Sequence, residues 1–287
     1  AMSVCLRSSD GAVIVGTALT VTIAIAAKYP RSIGPTLMVG TLAVLSLQLE
    51  FRPLNGSVSD LELPLNATFY EDNFSERYEG TVLQIAAYDA IAAGDRNSDS
   101  AYADITIGSM SAAAGLDGLN TYSGLGFTAF SGALCMRFNG AVCADAWDSL
   151  WELDDAGTPL ADLLGLDTVV VQRSVLDTAA NPPPPGWQLQ ETTDHVVVWN
   201  RSQPTQWPDS RLTATDGPIS VDSVEPSEPL RETLTVSRQG PGPATLTFAR
   251  LAWPGYVADI DGRPLPIGSG PAGLLAVGVP DDVAGGT

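Results

Sequence analysis

Three groups of residues have types and spacings that could do chemistry. The first is Asn120, Tyr122 and Ser123, on a stretch bounded by Gly118 and Gly124. A tyrosine ring offers an apolar face with a polar tip, and amide and hydroxyl groups on a glycine-freed loop can hydrogen-bond, so this trio suits a sugar. A structural reading, in which Tyr122 and Phe127 fill the core beneath the loop, stays open beside it. The second group is Asp95, Asn97 and Asp99, oxygen ligands at alternate positions as at the start of a calcium loop. Ser100 stands where such a loop turns on glycine and Thr106 where it closes on a bidentate glutamate, so a solvated loop with local side-chain bonds is favoured over calcium. No other cofactor is indicated. The third group is Cys135 and Cys143, which bracket the hairpin-turn dipeptide Asn139-Gly140. A hairpin brings such a pair within the roughly 4.4–6.8 Å between Cα atoms that a disulfide needs, two buried free thiols being the alternative.

Other chemistries are poorly served. His195, the single histidine, sits in the strand pattern His195-Val196-Val197-Val198-Trp199 with no titratable partner close in sequence, which fits a strand residue better than a base. It also lies too far from the cysteines for a zinc set. The sequence contains no Gly-x-Ser-x-Gly elbow, no His-Glu-x-x-His pair and no Walker glycine loop, which argues against hydrolases of those kinds. A net charge of -19 over 287 residues repels nucleic acid and removes it as a partner.

The elements that must position these residues begin with two charge-free apolar runs, 11–27 and 33–49, around the turn Lys28-Tyr29-Pro30-Arg31-Ser32. Each run matches the roughly 20 residues that cross a hydrocarbon core, and a soluble helical hairpin would be expected to carry a polar stripe. The expectation is therefore two transmembrane helices over 11–51 with a cytoplasmic basic turn, anchored in a bacterial plasma membrane with 52–287 extracytoplasmic. Residues 52–80 read as a polar, proline-punctuated connector. Residues 81–180 read as a small α/β domain. It contains the strands Thr81-Val82-Leu83-Gln84-Ile85-Ala86 and Thr168-Val169-Val170-Val171-Gln172, and a helix with Trp147, Leu150 and Trp151 on one face. A second helix runs near 159–164, with Thr158 as its cap and Gly165 as its stop. Pro182 to Pro185 and Gly186 suggest a boundary, and 186–287 read as an all-β, Ig-like sandwich truncated at its C-terminus. The start and end of the chain suggest a fragment of a longer polytopic protein.

The run Leu251-Ala252-Trp253-Pro254-Gly255-Tyr256-Val257-Ala258-Asp259-Ile260-Asp261-Gly262-Arg263-Pro264, followed by Leu274-Leu275-Ala276-Val277-Gly278-Val279-Pro280, resembles the C-terminal signature of YfhO-like bacterial membrane proteins. Gly118-Leu119-Asn120-Thr121-Tyr122-Ser123 and the step from Leu160 to Val171 resemble two further motifs of that family, in the same order. Trp253 before Pro254, and Tyr256 in place of a tryptophan, depart from it. The resemblance implies the C-terminal part of a relative of GT-C glycosyltransferases, which act with polyprenyl-phosphate sugars outside the membrane. Membrane lipid, lipid-linked sugar or cell-wall glycan are then the expected partners. The exterior acidic loop on which such enzymes rely has no counterpart here, so no catalytic residue carries over. The alternative is a non-catalytic scaffold or carbohydrate-binding module anchored in the membrane.

The cysteine spacing gives a direct test. Peptide mapping under non-reducing conditions is expected to find Cys135 joined to Cys143 and Cys5 free. Recovery of all three thiols alkylated, from protein made in an oxidising compartment, would contradict the pairing.

Overall fold

A computed structural model describes residues 67–74, 77–87, 104–106, 110–120, 126–226 and 231–287. All of them lie in one compact unit, Leu63–Thr287. Uninterrupted apolar strands buried on both faces are the signature of a covered sheet, and two such strands form its middle. In β1 (Thr81–Ile85) and β3 (Thr168–Gln172) every residue is buried. They run parallel, Val82 opposite Thr168 and Ile85 opposite Val171. β2 (Asp117–Gly118) adds a parallel edge to β1, while β5 (Val196–Arg201) and β4 (Trp187–Thr192) continue antiparallel from β3, giving the order β2-β1-β3-β5-β4. β4 and β5 thus complete this mixed sheet, and the proline stretch 182–186 leads into β4.

Side chains alternate across the sheet with the strand period of two. Leu83, Ile85, Val169 and Val171 pack beneath α3 (Thr128–Ala133), α4 (Ala146–Trp151) and α5 (Leu160–Leu163), through Phe130, Trp147, Leu150 and Leu163. Val82, Val170, Val196 and Val198 face Tyr70 and Phe74 of α1 (Ala67–Phe74) and the nearby Tyr78, on the side where α2 (Met110–Ala113) also lies. The α5 end differs in detail from the sequence reading. Pro159, not Thr158, occupies the cap position without a side-chain bond, and the Leu160 N–H is taken by the Glu152 carbonyl at 3.1 Å. Gly165, at φ 63°, ends the helix as expected.

The outer edge of β1 is closed by unlike parts. β2 covers it for two residues and the Leu119 N–H donates to the Val82 carbonyl at 2.9 Å. At Gln84 a side chain takes over: Asn120 Oδ1 accepts from the Gln84 N–H at 2.6 Å, and Asn120 Nδ2 donates to the Gln84 carbonyl at 2.7 Å and the Gly140 carbonyl at 2.9 Å. The Val142 N–H then reaches the Ala86 carbonyl at 3.0 Å. The Gln84 amide itself bonds the backbone N–H and hydroxyl of Thr106, and Gln172 Oε1 accepts from the Ala87 N–H at 2.8 Å.

The C-terminal half is a β-sandwich. One sheet has β6 (Leu212–Asp216), β9 (Ala244–Leu251), β12 (Ile267–Ser269) and β13 (Leu274–Val279) in the order β12-β13-β9-β6. The other has β7 (Ile219–Val224), β8 (Leu234–Arg238) and β14 (Gly285–Gly286) in the order β14-β8-β7. Between them lies a core of Leu212, Val236, Leu246, Phe248, Leu275 and Val277. β10 (Asp259–Ile260) and β11 (Arg263–Pro264) form a ribbon around Asp261 and Gly262, both at positive φ (50° and 80°), as a mirror-image hairpin turn requires.

The expected architecture, a transmembrane α-hairpin ahead of the α/β and sandwich domains, is corrected by this arrangement. The described residues are mostly β-sheet with a few short helices; the longest of these helices has 8 residues, well short of the roughly 20 that a span needs. No helix among them is long and apolar enough to cross a membrane. The apolar runs 11–27 and 33–49 lie outside the described residues. The plasma-membrane localisation that rested on the hairpin is withdrawn with it, and so is the membrane glycosyltransferase assignment, which rested on the motif resemblance and finds no membrane span among the described residues.

Asn120→Ala leaves the N–H and carbonyl of Gln84 buried without partners, at a site where each orphan costs about 1–3 kcal/mol. Urea unfolding is expected to show a loss of about 2–4 kcal/mol. A change no larger than that of a typical surface substitution would show that the Asn120 bonds do not hold the edge.

Candidate functional site

Where the mixed sheet meets the sandwich, the first core runs on into Leu274, Leu251 and Ala272. A cleft opens along this junction in two abutting parts that share Leu164, Ala249 and Arg250. The first part, about 370 Å³, is walled by Phe127, Phe130, Met136, Phe138 and Trp253. The second, about 670 Å³, is walled by Asp117, Asp167, Asp209, Ser210, Arg211 and Thr213. One half is therefore aromatic and the other polar.

Both aromatic walls are held from behind. Trp253 follows the end of β9 and meets the edge of Phe127, ring centroids 5.0 Å apart at 86°. Phe127 can sit there because residue 273 is glycine: a side chain on Gly273, at φ 76°, would run into its ring. Trp253 remains 47% exposed and Phe138 69% exposed, so both rings present a face to solvent. Phe138 rides on the loop closed by Cys135 and Cys143, which are joined with their Cα atoms 5.6 Å apart. Inside that loop Arg137 exchanges backbone bonds with Gly140 and Ala141, and the Asn139 side chain accepts from the Ala141 N–H at 3.1 Å. The bond from Asn120 to the Gly140 carbonyl ties the loop to the sheet.

The polar half is pre-wired. Asp117 pairs with Arg211 at 3.1 Å and accepts from the Thr81 hydroxyl, while Asp167 accepts from the Thr81 N–H at 2.9 Å. Arg250 is bound to Glu232 at 2.8 Å, and Ser210 donates to the same carboxylate. Asp209 is exposed at the rim.

Of the residues singled out from the sequence, Asn120 is 4% exposed with its oxygen and both amide hydrogens committed, so it supports the cleft wall and does not face it. Tyr122 and Ser123 lie outside the described residues, but the two ends of their loop, Leu119 and Gly126, line the aromatic half. Asp95, Asn97 and Asp99 also lie outside them, and among the described residues no three His, Cys, Asp or Glu side chains gather as a metal set. The tryptophans of α4 start a ladder that runs outward: Trp147 is 1% exposed and meets the half-buried Trp151, which meets the half-buried Trp187, over which Arg201 stacks at 4.9 Å. His195 bonds through its N–H to the Thr193 hydroxyl in the β4–β5 turn. Sequence reasoning passed over Phe138 and gave Trp253 no role in a site. The available signals were their positions, one at the tip of an Asn-Gly hairpin and the other beside Pro254-Gly255.

The densest charged cluster lies elsewhere and ties elements together. Arg77 grips Glu191 of β4 through two bonds of 2.9 Å and Asp104 at 2.7 Å, and Thr193 donates to Asp104 at 2.7 Å. Tyr78 donates to the Asp104 carbonyl at 2.8 Å, and burial pushes its phenol well above the ordinary range. No family model, curated protein or solved structure matches the chain. Its function has to be argued from the cleft.

Tyr78 makes the fold alkali-sensitive. Its folded-state pKa is raised, so its contribution is complete below the unfolded value of about 10 and is lost as pH rises beyond it, by about 1.4 kcal/mol per pH unit. Between pH 10 and 11 the urea midpoint of Tyr78→Phe should fall less steeply than that of the parent. Parallel curves would show that the phenol stays no more protonated in the folded chain than in the unfolded one.

Proposed function

We propose that this chain is a carbohydrate-binding module, its ligand a glycan laid along the cleft. The observation that carries the reading is the pair of exposed rings, Trp253 resting on Phe127 and Phe138 on the disulfide-closed loop, at the walls of one half while carboxylates, hydroxyls and two arginines line the other. Sugar rings have apolar faces that stack on aromatic side chains and hydroxyl rims that hydrogen-bond to fixed polar groups, so both halves can act on one extended chain. The net charge of -19 favours a neutral glycan over a polyanionic one. Cell-wall polysaccharide is the class this reading retains from the sequence.

A second reading, a protein-binding scaffold, draws on Trp253, Tyr256 and Val257, which are exposed together on one loop. The two are separated by calorimetric titration of the full chain with neutral cell-wall oligosaccharides. Trp253→Ala and Phe138→Ala are each expected to weaken binding by about ten- to a hundred-fold, which is roughly 1.4–2.8 kcal/mol. Their exposure makes normal folding the expectation for both. Oligosaccharide affinity equal to the parent in both variants would remove the glycan reading and leave the scaffold.

A further inference from the structure

We infer, resting on the glycan reading, that the polar half of the cleft prefers a glycan with free, protonated amino groups over the same chain with those groups acetylated. The hydroxyls of this half are committed in one direction. Thr81 donates to Asp117 at 3.2 Å, Ser210 to Glu232 at 3.2 Å, and Thr213 to the Leu163 carbonyl at 2.9 Å. With their hydrogens taken, what they still offer a ligand is an accepting oxygen. The carboxylates add to this. Asp117 Oδ2 takes both the Thr81 hydroxyl and Arg211, and Asp167 Oδ2 takes the Thr81 N–H, so the second oxygen of each accepts no hydrogen bond among the described residues. Asp209, at the rim, accepts none among them with either oxygen.

Charge points the same way. The two cations of this half are already opposed, Arg211 by Asp117 at 3.1 Å and Arg250 by Glu232 at 2.8 Å. Asp167 and Asp209 enter no ion pair among the described residues, which leaves the half negative. An ammonium group brings three donors and no acceptor and so matches such a wall, whereas an acetamide brings one N–H and a carbonyl that finds few donors there. A metal ion fits less well, since no three carboxylates among the described residues gather as a metal set. The abutting aromatic half separates an amino sugar from a small amine, because a sugar ring has an apolar face that can stack on Trp253 or Phe138.

The test is calorimetric titration of the full chain with a β-1,4-linked glucosamine tetramer and with its fully N-acetylated form. At about pH 5.5 the amino form is expected to bind about five- to tenfold more tightly, the size of two charge contacts at a partly exposed site. Raising the pH to about 9, where an amine has lost its proton and ordinary carboxylates stay charged, should abolish the preference. Asp167→Asn combined with Asp209→Asn should bring the ratio near unity at the lower pH, with an unchanged circular dichroism spectrum. Trp253→Ala should weaken both forms and keep the ratio. Equal affinity of the two forms at the lower pH, no binding of the amino form, or a ratio that survives either the high pH or the double asparagine variant would overturn the inference. The glycan reading itself stands or falls separately, on the neutral oligosaccharides.

Discussion

The structure depends on closing the outer edge of β1. Its backbone is fully buried, and a buried N–H or carbonyl without a partner costs about as much as one or two good hydrogen bonds contribute. The neighbouring strand, β2, covers only two residues of that edge. Asn120 supplies the missing partner by presenting an amide where a further strand would have presented a peptide group, and Val142 continues the line. Gln84 and Gln172 repeat the device by pairing with the backbone of Thr106 and Ala87. Short polar side chains thus extend a sheet that its own strands leave incomplete.

The cleft inherits its rigidity from this edge. Because Asn120 also binds the Gly140 carbonyl, the disulfide loop is fixed to the sheet, and Phe138 at its tip is held out over the aromatic half. The opposite wall is set by packing, since Phe127 fills the space a glycine leaves at 273 and Trp253 rests edge-on against it. The Trp253 ring is thereby oriented and the backbone that carries Phe138 is fixed, which lowers the entropic cost of a stacking surface.

Much of this was legible in the sequence where local chemistry decides. The all-buried runs of β1 and β3, the Gly165 stop, the Asp261-Gly262 turn and the apolar face of the Trp147 helix follow from periodicity and backbone preference alone. What was not legible depends on partners distant in the chain. Nothing local tells that the hairpin of Trp187 and His195 joins β3 at a mixed sheet, or that Asn120 turns inward to pair with Gln84 while its loop borders the cleft. Hydropathy read the charge-free runs at 11–27 and 33–49 as spans, although the same composition says nothing about the short helices and sheets that fill the described residues. Exposure of Phe138 and Trp253 runs against the usual burial of such rings, so only the folded surface could mark them.

The glycan cleft is tested most directly by following the indole N–H signals of the 6 tryptophans in a nitrogen-15 correlation spectrum while a neutral cell-wall oligosaccharide is added. The account predicts a progressive, saturable shift of the Trp253 signal, with the buried Trp147 signal unmoved. A Trp253 signal that stays in place at saturation, or a shift confined to Trp147 and Trp151, would contradict it.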